Sequence, residues 1–136
     1  MKNKASNYYK QGYSCSESVV QAAIDSGLCE SSLLSVASSF SGGMSSGCLC
    51  GAVAGAQLVL GCNFGKGNSK NNPEIARAKA KEFIDEFKKN HKATCCKVLT
   101  AGLDFGSPER KHNCTSLVEE CAVILEDLVK VTAGTV

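Results

Sequence analysis

The sequence predicts an all-α fold, a single domain over residues 1–136 with about five to seven helices around a central helix of small residues. No alternating pattern of apolar and polar residues runs longer than about four positions, so strands are not indicated. Apolar residues recur at helical spacing instead, and serine, asparagine, glycine and proline stand where helices begin and end. A chain of this length can form one hydrophobic core of its own.

The segment Phe40 to Gly65, FSGGMSSGCLCGAVAGAQLVLGCNFG, is predicted to supply the central helix from Gly47 onward. Gly51 and Gly55 are spaced so that they lie on one face of that helix. Glycine inside a helix costs roughly 1 kcal/mol relative to alanine, so close approach of another helix or of a bound group is expected there. Cys50 stands at the start of this face of small residues.

Three elements are expected before the central helix. The first helix covers residues 2–11 and ends at Gly12, which suits a left-handed cap. The second follows Ser14-Cys15-Ser16-Glu17, a capping box with a hydroxyl and a carboxylate three residues apart. Ser31 is expected to cap the third, and Gly42-Gly43 is expected to break the chain after it.

Three further helices are expected after the central one. Asn72-Pro73 combines a good cap with proline in the first turn, and it predicts a helix over residues 73–90. Thr94 is expected to cap a short helix that opens with Cys95-Cys96. The last helix is predicted to begin near Thr115 or Ser116, because Ser116-x-x-Glu119 has the pattern of a capping box.

The charge balance excludes some classes of function. Fifteen Lys and Arg nearly cancel thirteen Asp and Glu, and tryptophan is absent. This composition argues against nucleic acid as a partner, since such binders show a basic stripe and aromatic side chains for base stacking. No apolar signal segment stands at the start and no stretch is long enough to span a bilayer, so a cytoplasmic protein without a membrane partner is expected.

Nine cysteines are the anomaly of the composition. An odd number without an export signal disfavours a disulfide framework. Helix N-termini offer unpaired N–H groups and a positive dipole end, which lower a thiol pKa and favour the thiolate that binds metals and attacks disulfides. Cysteines stand at four predicted helix starts: Cys15, then Cys48 and Cys50, then Cys95 and Cys96, and finally Cys114.

The remaining cysteines are expected to have other roles. Cys121 lies on the apolar stripe of the last helix and is expected to be a small core residue. Cys29 and Cys62 follow helix ends and are expected to be bystanders. No CxxC pair occurs, so neither a zinc ribbon nor a thioredoxin motif is present. His112 stands two residues before Cys114 and could serve as a ligand, although a surface histidine is the competing interpretation.

These cysteines belong to a longer pattern that covers nearly the whole chain. Its segments are Gly12-Tyr13-Ser14-Cys15, Gly42-Gly43-Met44, Cys50-Gly51-Ala52-Val53-Ala54-Gly55, Cys96-Lys97-Val98-Leu99 and Cys114-Thr115-Ser116-Leu117-Val118. The pattern resembles the C_GCAxxG_C_C family of redox-active proteins. That resemblance implies a helical protein of bacterial or archaeal type, common in anaerobes, and related to an iron–sulfur domain of split-Soret cytochromes. It places the family cysteines on Cys15, Cys50, Cys96 and Cys114.

The leading hypothesis is a protein that binds an iron–sulfur cluster and exchanges electrons with a redox partner protein. Its cofactor ligands would be Cys15, Cys50, Cys96 and Cys114. Secondary candidates for metal ligation are Cys48, Cys95 and His112. Two alternatives stay open: a metal-free thiol–disulfide oxidoreductase that uses the same four thiols, and a protein that binds zinc or another soft metal. The spacing is equally compatible with one chain and with a site shared across a homodimer.

Overall fold

The computed structural model describes residues 1–66 and 72–134, with side chains as far as residue 130. Its elements confirm the all-α prediction, because the described ranges contain helices and one isolated antiparallel bridge between Leu49 and Cys95, but no strand. None of these helices combines the length and apolar character needed to cross a membrane. The α-helices are α1 Lys2–Lys10, α2 Cys15–Asp25, α3 Leu33–Ala37, α4 Gly51–Phe64, α5 Pro73–Lys88, α6 Cys96–Leu99 and α7 Pro108–Gly134.

Helix α4 is the central helix, and α2, α5 and α7 pack around it. Its sequence carries no charged residue, and most of its side chains are buried. The backbone of α2 crosses it at Gly55, where a Cβ atom would come within 2.7 Å of the Ser16 carbonyl oxygen. The small residue is therefore required by helix packing at this position, as the sequence indicates.

Helix α4 begins later than predicted, at Gly51 instead of Gly47. Gly47 has a φ of +71°, which ends the preceding turn. The chain then runs extended from Cys48 to Cys50, and the Cys50 N–H donates to the Thr94 carbonyl at 2.7 Å. Because this pairing with the segment before α6 competes with the helix, Cys48 lies outside α4 and Cys50 is its N-cap.

Helix α7 begins earlier than predicted, at Pro108 instead of near Ser116. The Ser107 hydroxyl accepts a hydrogen bond from the Arg110 N–H at 3.1 Å, and proline occupies the first turn, where its missing N–H is tolerated. The prediction was wrong because no glycine or proline interrupts the chain between this cap and the expected one. Cys114 consequently lies inside α7 and not at a helix start.

Three of the predicted helix-end signals are confirmed. Ser14 and Glu17 form the reciprocal capping box of α2, with N–H to side-chain oxygen distances of 3.3 and 2.9 Å. The Asn72 side chain accepts from the Glu74 N–H at 3.0 Å at the start of α5. Gly12 follows α1 with a φ of +106°. These local signals fix where α1 ends and where α2 and α5 begin.

Two predicted caps are wrong. Helix α3 follows Ser32 without a side-chain cap, while Ser31 lies in the preceding turn and accepts the Leu34 N–H through its carbonyl. Helix α6 has Cys95 as its N-cap, again without a hydrogen bond between the cap side chain and the first turn of the helix. Thr94 does not cap α6, because the helix starts two residues later and the backbone carbonyl of Thr94 pairs with Cys50.

Candidate functional site

A cavity of about 590 Å³ brings together three cysteines from three helices. Cys15 is the first residue of α2, Cys96 is the first residue of α6, and Cys114 lies within α7. Cys50 does not border the cavity and is only 5% exposed. It lies close enough to Cys15 and Cys96 that negative charge on either raises its pKa. The chain fold thus gathers these four cysteines into one region.

The Cys15 thiol lies against the start of the central helix. A Cβ atom on Gly51 would overlap the Cys15 sulfur and would approach the Phe40 carbonyl oxygen to 2.9 Å. Glycine at this position therefore leaves the space that the sulfur occupies. This contact explains a helical glycine that propensity alone disfavours.

A left-handed turn stands beside the cavity, at the predicted glycine break. Residues 42–45 all have positive φ, between +54° and +63°, and two of them, Met44 and Ser45, are not glycine. A left-handed conformation costs a residue with a side chain roughly 1–2 kcal/mol. The turn directs the Gly42 N–H toward the Cys15 thiol. Backbone strain of this kind is concentrated at functional sites in proteins.

Two further glycines leave space for the segment that carries Cys96. A Cβ atom on Gly43 would stand 2.8 Å from the Cβ of Cys96, and one on Gly47 would stand 2.7 Å from the Cε of Lys97. Both glycines have positive φ. Cys96 therefore reaches the cavity because the facing turn has no side chain at positions 43 and 47.

The thiol pKa values move opposite to the sequence-based expectation. Burial raises the pKa of Cys15, that of Cys114 and, to about 12, that of Cys50. Backbone N–H groups at the starts of α2 and α4 do lower the pKa of Cys15 and Cys50, but desolvation outweighs them. Cys114 lies inside α7 and not at a helix start. The prediction of lowered thiol pKa values at these three positions was therefore wrong.

Cationic side chains border the cavity. Lys97 and Arg110 are among the lining residues, which include no Asp or Glu within the described part of the chain. The Arg110 guanidinium stands 5.1 Å from the centre of the Phe105 ring, and its charge lowers the pKa of Cys114. A site of this composition suits thiolates or a negatively charged group.

Tyr9 is a site residue that sequence reasoning missed. It borders the cavity, and a hydrogen bond from its side chain lowers the pKa of the Cys114 thiol. Burial raises its own pKa further above the usual range, so the hydroxyl remains a donor. No spacing in the sequence links positions 9 and 114, because α1 and α7 meet only in the tertiary fold.

The secondary ligand candidates do not border this cavity. Cys48 is exposed, and Cys95 is partly buried with its thiol donating to the Gly47 carbonyl at 3.0 Å. His112 lies exposed on α7. Cys121 is fully buried, as expected of a core residue, and negative charge on Cys50 raises its pKa.

The donor side chains around the cavity decide whether a metal group fits. In residues 1–66 and 72–134, no three His, Cys, Asp or Glu side chains stand close enough together to hold a metal ion in this arrangement. The chemistry of the donors nevertheless fits an iron–sulfur cluster, since the region offers several thiols, backbone N–H groups directed at sulfur, and two cations. A cysteine sulfur can shift toward a ligand by rotation about its single Cα–Cβ bond.

Comparison with known proteins identifies the family. No curated protein and no solved structure matches the chain. Residues 13–128 match the family described as "Putative redox-active protein (C_GCAxxG_C_C)". The match spans the segments that carry Cys15, Cys50, Cys96 and Cys114. This chain belongs to the C_GCAxxG_C_C family of redox-active proteins.

Proposed function

We propose that this protein binds an iron–sulfur cluster through Cys15, Cys50, Cys96 and Cys114 and transfers single electrons. The observation that supports it is the gathering of four cysteines, from four segments, at or directly behind one cavity. When bound, the cluster would supply one-electron redox chemistry. All four thiols belong to one chain, so a second copy is not required to complete the ligand set.

The chain contributes the electrostatic environment of the sulfurs. The N–H groups of Gly42 and Ser16 donate to the thiol of Cys15, and those of Ala52 and Val53 donate to the thiol of Cys50. Hydrogen bonds to ligand sulfur stabilise negative charge and thereby raise a reduction potential. Lys97 and Arg110 at the cavity add positive charge in the same region.

The raised thiol pKa values describe the protein before ligation. Cys15 and Cys50 hold their protons at neutral pH, because burial disfavours isolated thiolates and raises both pKa values. Binding of metal would release those protons, so loading of the site is expected to be favoured as the pH rises. Because these thiols are protonated, the folded protein does not bear the free-energy cost of several buried negative charges before ligation.

A partner protein would reach the site at the cavity mouth. Phe105 borders the cavity and is 90% exposed. Together with Lys97 and Arg110 it forms an apolar and cationic rim. We propose that the electron-exchange partner presents an acidic surface with an apolar centre to this rim.

Anaerobic purification followed by reconstitution with iron and sulfide tests the cluster. Brown protein with iron and acid-labile sulfide is expected. The chain offers matched controls: Cys50→Ser and Cys96→Ser should lose iron, whereas Cys48→Ser and Cys95→Ser should retain it. Colourless, metal-free protein after reconstitution would contradict the proposal, and zinc at one per chain would favour the structural zinc alternative instead.

Metal-free thiol–disulfide exchange is the second candidate. It is favoured by the absence of a ready three-ligand set in the described part of the chain, since disulfide chemistry needs only two sulfurs. Cys15 would attack the disulfide of a substrate, and Cys50 would displace the substrate thiol to leave a Cys15–Cys50 disulfide. One dominant bond between these residues after mild oxidation, seen by mass spectrometry, would support it, whereas random pairing would count against it.

A further inference from the structure

Two cysteines that were expected to be bystanders share a second cavity. Cys29 lies in the connection between α2 and α3, and Cys62 lies in the last turn of α4. Both border a cavity of about 570 Å³, together with Glu30 and Leu33. Their positions are far apart in sequence, so the tertiary fold alone brings them to one place.

A hydrogen bond holds the two cysteine-bearing segments against each other. The Asn63 side-chain amide donates to the Leu28 carbonyl at 3.0 Å, and it is oriented by a second bond within α4, to the Val59 carbonyl at 2.8 Å. Asn63 follows Cys62 and Leu28 precedes Cys29, so the bond between the segments lies next to both thiols. The relative placement of the two thiols is therefore fixed by neighbouring backbone.

The two thiols also affect each other and are open to solvent. Negative charge on Cys62 contributes to a Cys29 pKa of about 11, after the larger effect of burial. Cys62 is exposed, so a small disulfide reagent can reach its thiol. Cys29 is partly exposed and borders the same cavity, so its thiol can then react with the modified Cys62. The Cys50 end of α4 is about 18 Å away along the helix axis, which separates this pair from the other cysteines.

We propose that Cys29 and Cys62 form a second redox site, a reversible disulfide pair that low-molecular-weight disulfides oxidise. The Cys62 thiolate attacks the S–S bond of the oxidant and releases one thiol. The Cys29 thiolate then attacks the Cys62 sulfur of the mixed disulfide and releases the second. Two protein thiols and one oxidant disulfide become one protein disulfide and two free thiols, so atoms and electrons balance.

Incubation with oxidised glutathione, followed by non-reducing peptide mapping, tests the pair. The expected product is an intramolecular Cys29–Cys62 cross-link without retained glutathione. In Cys29→Ser, Cys62 should instead remain as its glutathione mixed disulfide, because the resolving thiol is gone. Cys48→Ser removes an exposed thiol elsewhere and should leave the cross-link unchanged.

Thermal unfolding provides a second measurement. Oxidation should raise Tm by roughly 5–10 °C, since a disulfide between these positions closes a long loop in the unfolded chain, and Cys62→Ser should abolish the rise. Persistent glutathione on both cysteines of the unsubstituted protein, or a cross-link between two chains, would overturn the proposal. The same result is expected with and without reconstituted iron, so failure here is distinguishable from failure of the cluster.

Discussion

The Cys15 sulfur lies directly against the α-carbon of Gly51, where the start of α2 meets the start of α4. No side chain can be added at position 51 without displacing that sulfur or the Phe40 carbonyl. The position of a candidate ligand thus depends on a residue that has no functional group of its own.

Gly51→Ala is expected to lower the free energy of unfolding by about 1–3 kcal/mol, because the added methyl group overpacks the contact. It should also reduce iron content after reconstitution, since Cys15 must move. Denaturant unfolding and iron analysis measure the two effects.

Gly61→Ala is the matched control in the same helix. A Cβ atom there meets nothing within 4 Å, so the substitution should raise the free energy of unfolding by about 0.5–1 kcal/mol through helix propensity. Equal stability of the two variants would refute the role assigned to Gly51.

Local signals made much of the fold predictable. The capping box at Ser14 and the cap at Asn72 act within a few residues of their own position, so sequence alone locates α2 and α5. The start of α7 was not predictable in this way. Ser107-Pro108 and Ser116-x-x-Glu119 are both legitimate start signals, and the helix simply continues from the first through the second.

The candidate site was predictable in its cysteines but not in its chemistry. Family resemblance indicated four cysteines, of which three border one cavity and Cys50 does not: Cys15, Cys50, Cys96 and Cys114. The direction of the pKa shifts at Cys15 and Cys114 could not be read from helix starts, because desolvation depends on what the rest of the chain places over each thiol. The roles of Tyr9 and Arg110 depend on tertiary contacts in the same way.

Stability is expected to fall at alkaline pH because of Cys50. Burial raises its pKa from about 9 to about 12 in the folded protein. The folded state therefore keeps a proton that the unfolded chain loses, and stability present below pH 9 is lost as the pH rises toward 12. Each such thiol contributes a fall of about 1.4 kcal/mol per pH unit within that window.

Cys50→Ala should reduce the slope of the free energy of unfolding against pH across this window by about 1.4 kcal/mol per pH unit, which corresponds to one proton. Cys48→Ala, which removes an exposed thiol, should leave the slope unchanged. Urea unfolding of metal-free protein at several pH values measures both slopes. Parallel curves for the parent protein and Cys50→Ala would show that the Cys50 thiol is not desolvated.

Tyr9→Phe is expected to slow alkylation of Cys114. The Tyr9 hydroxyl donates to this thiol and lowers its pKa, so its loss reduces the thiolate fraction at a given pH. A hydrogen bond of ordinary strength corresponds to a rate about 2–10-fold lower. Iodoacetamide labelling with peptide mapping measures the rate at Cys114.

Tyr8→Phe is the neighbouring control, because the Tyr8 hydroxyl donates to Asp25, the last residue of α2. Its Cys114 labelling rate should match that of the parent protein. An unchanged rate in Tyr9→Phe would mean that the hydroxyl does not reach the thiol in solution.

The left-handed turn beside Cys15 is expected to respond to glycine in opposite ways at adjacent positions. Ser45 has a φ of +54° and is exposed, so Ser45→Gly should raise the free energy of unfolding by about 1 kcal/mol by relieving strain. Ser46 is not among the positive-φ residues, so Ser46→Gly should lower stability by roughly 0.5–1 kcal/mol through backbone entropy.

Gly42→Ala should cost about 1–2 kcal/mol although the space around it is open, because its φ is +63°. Guanidinium unfolding of the three variants distinguishes conformational strain from packing, and a stabilising Gly42→Ala would contradict the left-handed turn that directs the Gly42 N–H to Cys15.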